Sequence, residues 1–214
     1  MERYETEEQQ VEAIKDFWKE NGTAIILGAV LGLGGLWGWR YYNDYQLETK
    51  AQASFAYNNM VENVASEGVE ADFDGFVAEH GSTAYGPLAL LIAAQRAVDE
   101  KDFAAAEKSL NDAVSMAKSD AIADISRIRL ARVQATLAQY VPALDTLSKV
   151  VNTSFSDQVE EVKGDIFVAQ KDFDKARIAY SSVLSEQEDN ADVAMKLSNI
   201  AYAATQVTGD ASEN

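Results

Sequence analysis

Acid–base, nucleophilic or metal chemistry in this chain would have to be assembled from His80 and from carboxylates, because the sequence holds one histidine and no cysteine. That removes thiolate nucleophiles, disulfides, thiolate metal sites and any site needing several imidazoles. A catalytic triad would rest on His80 alone. His80 precedes Gly81-Ser82-Thr83, a turn sequence, and reads as a solvated loop histidine. Paired carboxylates can serve as acid and base in a closed cleft, yet Glu160-Glu161 and Asp72/Asp74 fall on polar helix faces or loops, where charge ordinarily serves solvation. Asp72-x-Asp74-Gly75 lacks the remaining positions of a calcium loop, and Asn152-Thr153-Ser154 matches only the short glycosylation triplet. No phosphate loop, dinucleotide fingerprint or serine-hydrolase elbow occurs. These residues predict no enzyme, no metal site and no cofactor; the working parts must be surfaces.

The elements that carry such surfaces are helices. Only Pro87 and Pro142 interrupt helix formation, and 47% hydrophobic residues suffice for a core, so the fold class expected is all-α. A net charge of −17, from 35 acidic and 18 basic residues, sets a field that repels nucleic acid.

From Asn21 to Trp39 the chain is uncharged, and a helix of that length spans about 28 Å, close to the hydrocarbon thickness of a bilayer. Trp37, Trp39, Arg40, Tyr41 and Tyr42 follow at its end as interface anchors, aromatic rings with a polar edge that sit best among lipid headgroups. A transmembrane helix over 21–42, in contact with membrane lipid, is therefore expected. A cleaved signal is the rival reading. Against it, residues 1–20 carry seven acidic and three basic side chains, and Ala51-Gln52-Ala53 lies far beyond the apolar run. Gly28-x-x-x-Gly32 and Gly34-x-x-x-Gly38 are candidate packing positions for another transmembrane helix. Arg3, Lys15 and Lys19 before the span against Arg40 and Lys50 after it favour a cytoplasmic N-terminus by a slim margin. Val11, Ile14 and Trp18 form one stripe of a helical flank over residues 1–20.

Beyond the span the chain repeats itself. With Phe103, Tyr140 and Phe173 in register, the spacings are 37 and 33 residues, near the tetratricopeptide period. Ala106, Ala143 and Ala176 follow each aromatic by three, Leu110, Leu147 and Tyr180 by seven, and Ala94, Ala131 and Gly164 precede each by nine. The small residues let two helices approach while the aromatic fills the space beside their turn. Hairpins are expected at 87–117, 123–151 and 157–186, with a degenerate first hairpin from 47–66 and 72–80, a closing helix over 191–206, and a disordered tail over 207–214. Loops are expected at Glu67-Gly68, at residues 80–83 and at residues 152–154. The repeat domain, residues 47–206, would form a superhelix.

In that register Leu88 and Leu91, Ile125 and Ile128, then Gln158 and Glu161 lie on the concave face, followed by Gln95, Asp99, Arg132, Thr136 and Asp165. An apolar floor with an acidic rim suits extended or partly unfolded polypeptide. The alternative is that the closing helix covers these Leu and Ile side chains through Val193, Leu197, Ile200 and Tyr202.

QVEAIKDFWKENG (Gln10–Gly22), the glycine-rich span ending in GWRYYN (Gly38–Asn43), TAYGPLALL (Thr83–Leu91) and RIRLARVQ (Arg127–Gln134) resemble the YfgM family of proteobacterial inner-membrane proteins over nearly the whole chain. The resemblance implies an ancillary subunit of the SecYEG translocon, with a cytoplasmic N-terminus and periplasmic repeats. It also implies association with the chaperone PpiD, assistance to newly exported periplasmic and outer-membrane proteins, and no enzymatic activity. A membrane-anchored scaffold that holds one specific partner in envelope signalling or assembly is the competing expectation.

Overall fold

The computed structural model describes residues 7–65 and 71–210, with side chains for 9–64 and 71–200. Among the described residues the elements are α1 (Glu7–Ala65), α2 (Phe73–His80), α3 (Tyr85–Asp99), α4 (Phe103–Met116), α5 (Asp120–Thr136), α6 (Tyr140–Ser148), a 3-10 turn at Thr153–Phe155, α7 (Ser156–Ala169), α8 (Phe173–Glu186) and α9 (Ala191–Asp210). The expected all-α class is observed. The chain divides into two units, Met1–Gln52 and Ala53–Asn214.

In the first unit the acidic flank and the apolar run belong to one helix, α1, so the boundary expected at residue 20 is one of composition alone. Of its most apolar 18-residue window, mean hydropathy 1.5, only 6% is buried within the molecule. Leu31, Leu33 and Leu36 point outward, as do Val11, Ile14 and Trp18 of the flank. A soluble core helix would hide these residues; a membrane span has no reason to.

In the second unit three hairpins, α3–α4, α5–α6 and α7–α8, stand within a few residues of their expected positions. The registered residues account for them. Ala94, Ala131, Ala106, Ala143 and Ala176 are buried, and so are Leu110, Leu147 and Tyr180. Successive hairpins share their cores: Leu91, Ala94, Ala106 and Leu110 meet Leu130 and Val133 of α5, while Ile128, Ala131, Ala143 and Leu147 meet Val159, Val162 and Ile166 of α7. Each full burial of such a Leu or Ile contributes about 1.5–3 kcal/mol, and no hairpin could achieve it alone.

The third hairpin compensates for its larger residue. Where the first two pair Ala with Leu, the third pairs Gly164 with Tyr180, and a Cβ on Gly164 would collide with the Tyr180 ring. The turns obey the same register. Lys101, Ala138 and Lys171 take φ of 64°, 59° and 61°, each two residues before the aromatic. The amide after each returns to the carbonyl five residues back, Asp102 to Ala97, Gln139 to Gln134 and Asp172 to Phe167, a left-handed helix end. Asp102 and Asp172 then cap the next helix by accepting from the amides of Ala105 and Lys175. The repeated Lys-Asp-Phe triplet is thus a complete turn signal: left-handed stop, cap, and first core residue.

The degenerate first hairpin is formed by the end of α1 and the short α2, where Met60, Phe76 and Ala89 make a small core beneath Tyr57 and Tyr85, whose rings are 5.3 Å apart. Glu67-Gly68 lies outside the described residues. The closing helix packs Val193 and Ile200 against Tyr180 and Val183 and runs to Asp210. Residues 207–210, expected in a disordered tail, therefore continue α9, and 211–214 lie outside the described residues.

Candidate functional site

Two surfaces collect the predicted residues. On the first unit, Gly28, Gly32, Gly34 and Gly38 leave open space where a Cβ would stand, so no neighbour among the described residues explains them by close packing. Trp37 and Trp39 are 73% and 72% exposed, and Tyr41, Tyr42 and Tyr45 are also exposed. Trp37 stacks on Tyr41 with centroids 6.2 Å apart. Arg40 lies 3.9 Å from Asp44 with both side chains in the open, a pair of negligible strength.

On the repeat unit the predicted binding face splits. Leu91 is 7% and Ile128 is 2% exposed, and both belong to the cores shared between hairpins, while Leu88 and Ile125 are partly buried against the first of these cores. These four do not form an open floor. Nor are Leu91 and Ile128 covered by Val193, Leu197 and Ile200 of the closing helix, which join a separate core with α8; the Tyr202 side chain lies outside those described. A first helix of a stacked hairpin packs against its own second helix and against the next hairpin, and that contact takes Leu91 and Ile128.

The polar members stay on the surface. Gln95 donates to Asp99 at 3.0 Å, and Arg132 and Thr136 are exposed on α5. Arg132, Thr136 and Asp165 meet at a cleft of about 360 Å³ between α5 and α7, walled by Ala135, Val162 and Ile166. Asp165 also borders a second cleft of about 360 Å³, beside Val168, Phe173, Lys196 and Ile200. The expected acidic rim is in fact mixed in sign.

Sequence reasoning missed what joins these clefts. Lys196 of α9 donates to Glu161 at 2.6 Å and to both oxygens of Asp165 at 2.8 and 2.9 Å. The Tyr180 hydroxyl donates to Asp165 at 2.6 Å. Burial and the Asp165 carboxylate push the Tyr180 phenol well above its ordinary range. Burial works against the Lys196 ammonium, but its bonds to Asp165 and Glu161 outweigh that and raise its pKa. Nothing in a repeat register marks Lys196, since it is specified by a contact 31 to 35 residues away. Asp124 was missed too. Fully buried, it holds Arg127 at 2.6 Å and accepts from the Val151 and Asn152 amides, fixing the approach to α7.

His80 is not the solvated loop residue expected. It closes α2, its side chain is 11% exposed, and its ring lies against Phe76, tilted by 54° with centroids 5.1 Å apart. Among the described residues no three His, Cys, Asp or Glu side chains are grouped to hold a metal.

Helical hairpins in a 33- to 37-residue register, preceded by one helix long and apolar enough to cross a membrane, define a tetratricopeptide-like repeat protein with a single candidate span. The family model for the tetratricopeptide repeat-like domain matches residues 15–202. Among curated proteins, the ancillary SecYEG translocon subunit of Haemophilus influenzae is 37% identical over 91% of this chain and 97% of its own length. Its namesake from Escherichia coli is 37% identical over 85% and 89%, and that of Neisseria gonorrhoeae 23% identical over 86% and 90%. The chain belongs to this family of ancillary translocon subunits, the YfgM family. No solved structure gives a significant match.

Proposed function

We infer that this protein is a non-catalytic, ancillary subunit of the SecYEG translocon. Residues 21–42 cross the inner membrane once, residues 1–20 lie in the cytoplasm, and the repeat unit works in the periplasm. There it binds newly exported chains in company with PpiD, through the clefts along α5, α7 and α9. The span packs its glycine face, Gly28 and Gly32 foremost, on a translocon helix.

The single observation that carries this reading is 37% identity over 97% of the length of a relative named for that role. The outward apolar surface of α1 and the open space at its glycines fit a helix whose packing partners lie outside the chain. The clefts at Asp165 fit a surface that meets polypeptide.

The test is affinity isolation of the full-length protein from native membranes in mild detergent, with protease added to spheroplasts in parallel. The expected result is co-isolation of SecY and PpiD and digestion of the repeat unit from outside. Isolation free of SecY, or a repeat unit shielded until the inner membrane is breached, contradicts the proposal.

A further inference from the structure

Most cations of the repeat unit pair with a carboxylate, and two of those that do not are neighbours. On a chain of net charge −17 a basic side chain finds an acid easily, as Arg96 does with Glu100, Lys149 with Asp145 and Arg177 with Asp174. Among the described residues of this unit, the side chains of Lys101, Lys171, Arg129 and Arg132 make no ion pair or hydrogen bond. The two lysines occupy hairpin turns. Arg129 and Arg132 are exposed three positions apart on α5, side by side on its surface.

Arg132 rims the cleft between α5 and α7, and the anion across that cleft is Asp165. Asp165 is already taken by Lys196 and Tyr180. The unsatisfied charge of the cleft is therefore positive, in a molecule whose overall field is negative. Val162 and Ile166 at its base are buried, and its accessible apolar lining is Ala135 and Ala169, so a small apolar surface lies beside the guanidinium. The second cleft shares Asp165, so an occupant can continue across α7 on either side.

We propose that this cleft binds an internal, extended segment of a polypeptide that sets one Asp or Glu carboxylate on Arg132, beside Arg129, and an apolar side chain against Ala135 and Ala169. The planar guanidinium receives a carboxylate through two parallel hydrogen bonds. Screening confines the attraction to about 8 Å at physiological salt, so carboxylates elsewhere on the segment meet the protein's own negative field. The site thus selects a single acid flanked by apolar residues rather than acidic chains in general. The shared border of the two clefts at Asp165 favours an internal segment over a chain end. The proposal rests on the reading of the repeat unit as a binder of exported chains.

The test uses the full chain in nanodiscs and three fluorescent ten-residue peptides with leucine at alternate positions. One has a central Glu and both ends capped, one has Gln instead, and one has Gln with a free C-terminal carboxylate. Anisotropy titrations are expected to show the Glu peptide binding about tenfold more tightly than either Gln peptide. Arg132→Gln is expected to abolish that preference, Arg132→Lys to keep part of it, Arg129→Gln to reduce it, and added salt to weaken it. Circular dichroism checks that each variant folds. Equal binding of the Glu and capped Gln peptides, an unchanged preference in Arg132→Gln, tightest binding of the free-end peptide, or no binding by any peptide overturns the proposal. Co-isolation with SecY is read separately, so either idea can fail without the other.

Discussion

Glycine means opposite things in the two units of this molecule. Gly164 is glycine because Tyr180 fills the place of its Cβ, whereas Gly28 and Gly32 have nothing around them to forbid a larger residue. The same contrast holds for apolar side chains. Most of those of the repeat unit are consumed in cores between hairpins, and those of the span face outward. A small or apolar residue whose neighbours lie within the chain encodes the fold; one without them encodes an environment or a partner.

The contrast is sharpest at the Gly164–Tyr180 pair. Gly164→Ala is expected to destabilise the repeat unit by about 1–3 kcal/mol, the usual range for overpacking, measured by chemical denaturation of the full chain in detergent. Tyr180→Leu should also destabilise. The double variant recreates the Ala131–Leu147 pair of the preceding hairpin and should be more stable than the sum of the single changes implies, with a coupling of about 1 kcal/mol or more. Simple additivity would break the account of this pair.

Alkali tests the same region through its charges. The pKa values of Tyr180 and Lys196 are both raised in the folded state, so below pH of about 10 their stabilising contribution is complete. Above that the unfolded chain gives up its protons first, and stability falls as pH rises. Melting temperatures followed from pH 8 to 11 should therefore drop, less steeply in a Tyr180→Phe/Lys196→Met variant; parallel curves would refute this cause.

A smaller gain is expected in the turns. Lys101, Ala138 and Lys171 hold a left-handed conformation that costs ordinary residues energy, so Lys171→Gly should stabilise by about 0.5–1 kcal/mol, net of the entropy glycine adds to the unfolded chain. Destabilisation would contradict it. The smallest effect belongs to the span: Gly28→Leu should leave repeat-unit melting within about 0.5 kcal/mol of the parent.

The hairpins were legible because each position that packs them is a residue of distinctive size at a fixed spacing, as Ala106, Ala143 and Ala176 illustrate. The stripe at Leu91 and Ile128 was harder to read. Periodicity says that a residue faces something apolar, but it does not distinguish an open groove from the next hairpin in the stack. Arg132, Thr136 and Asp165 could be placed together because register alone brings them to one side. Lys196 and Asp124 could not, since each is defined by partners 27 to 35 residues distant that no local pattern announces. His80 misled because its turn neighbours are visible in sequence and its ring partner Phe76, one helical turn back, carries no mark of burial.

The central claim is that the open glycine face of α1 is occupied by a helix of the translocon. Photocrosslinking in native membranes tests it directly, with the probe at Gly28 or Gly32 and, as controls on the opposite face, at Ile26 or Val30. Adducts with a SecYEG subunit from the glycine positions, weak or absent from Ile26 and Val30, are the predicted result. Equal yields from all four positions, or no SecYEG adduct from Gly28 and Gly32, would contradict it.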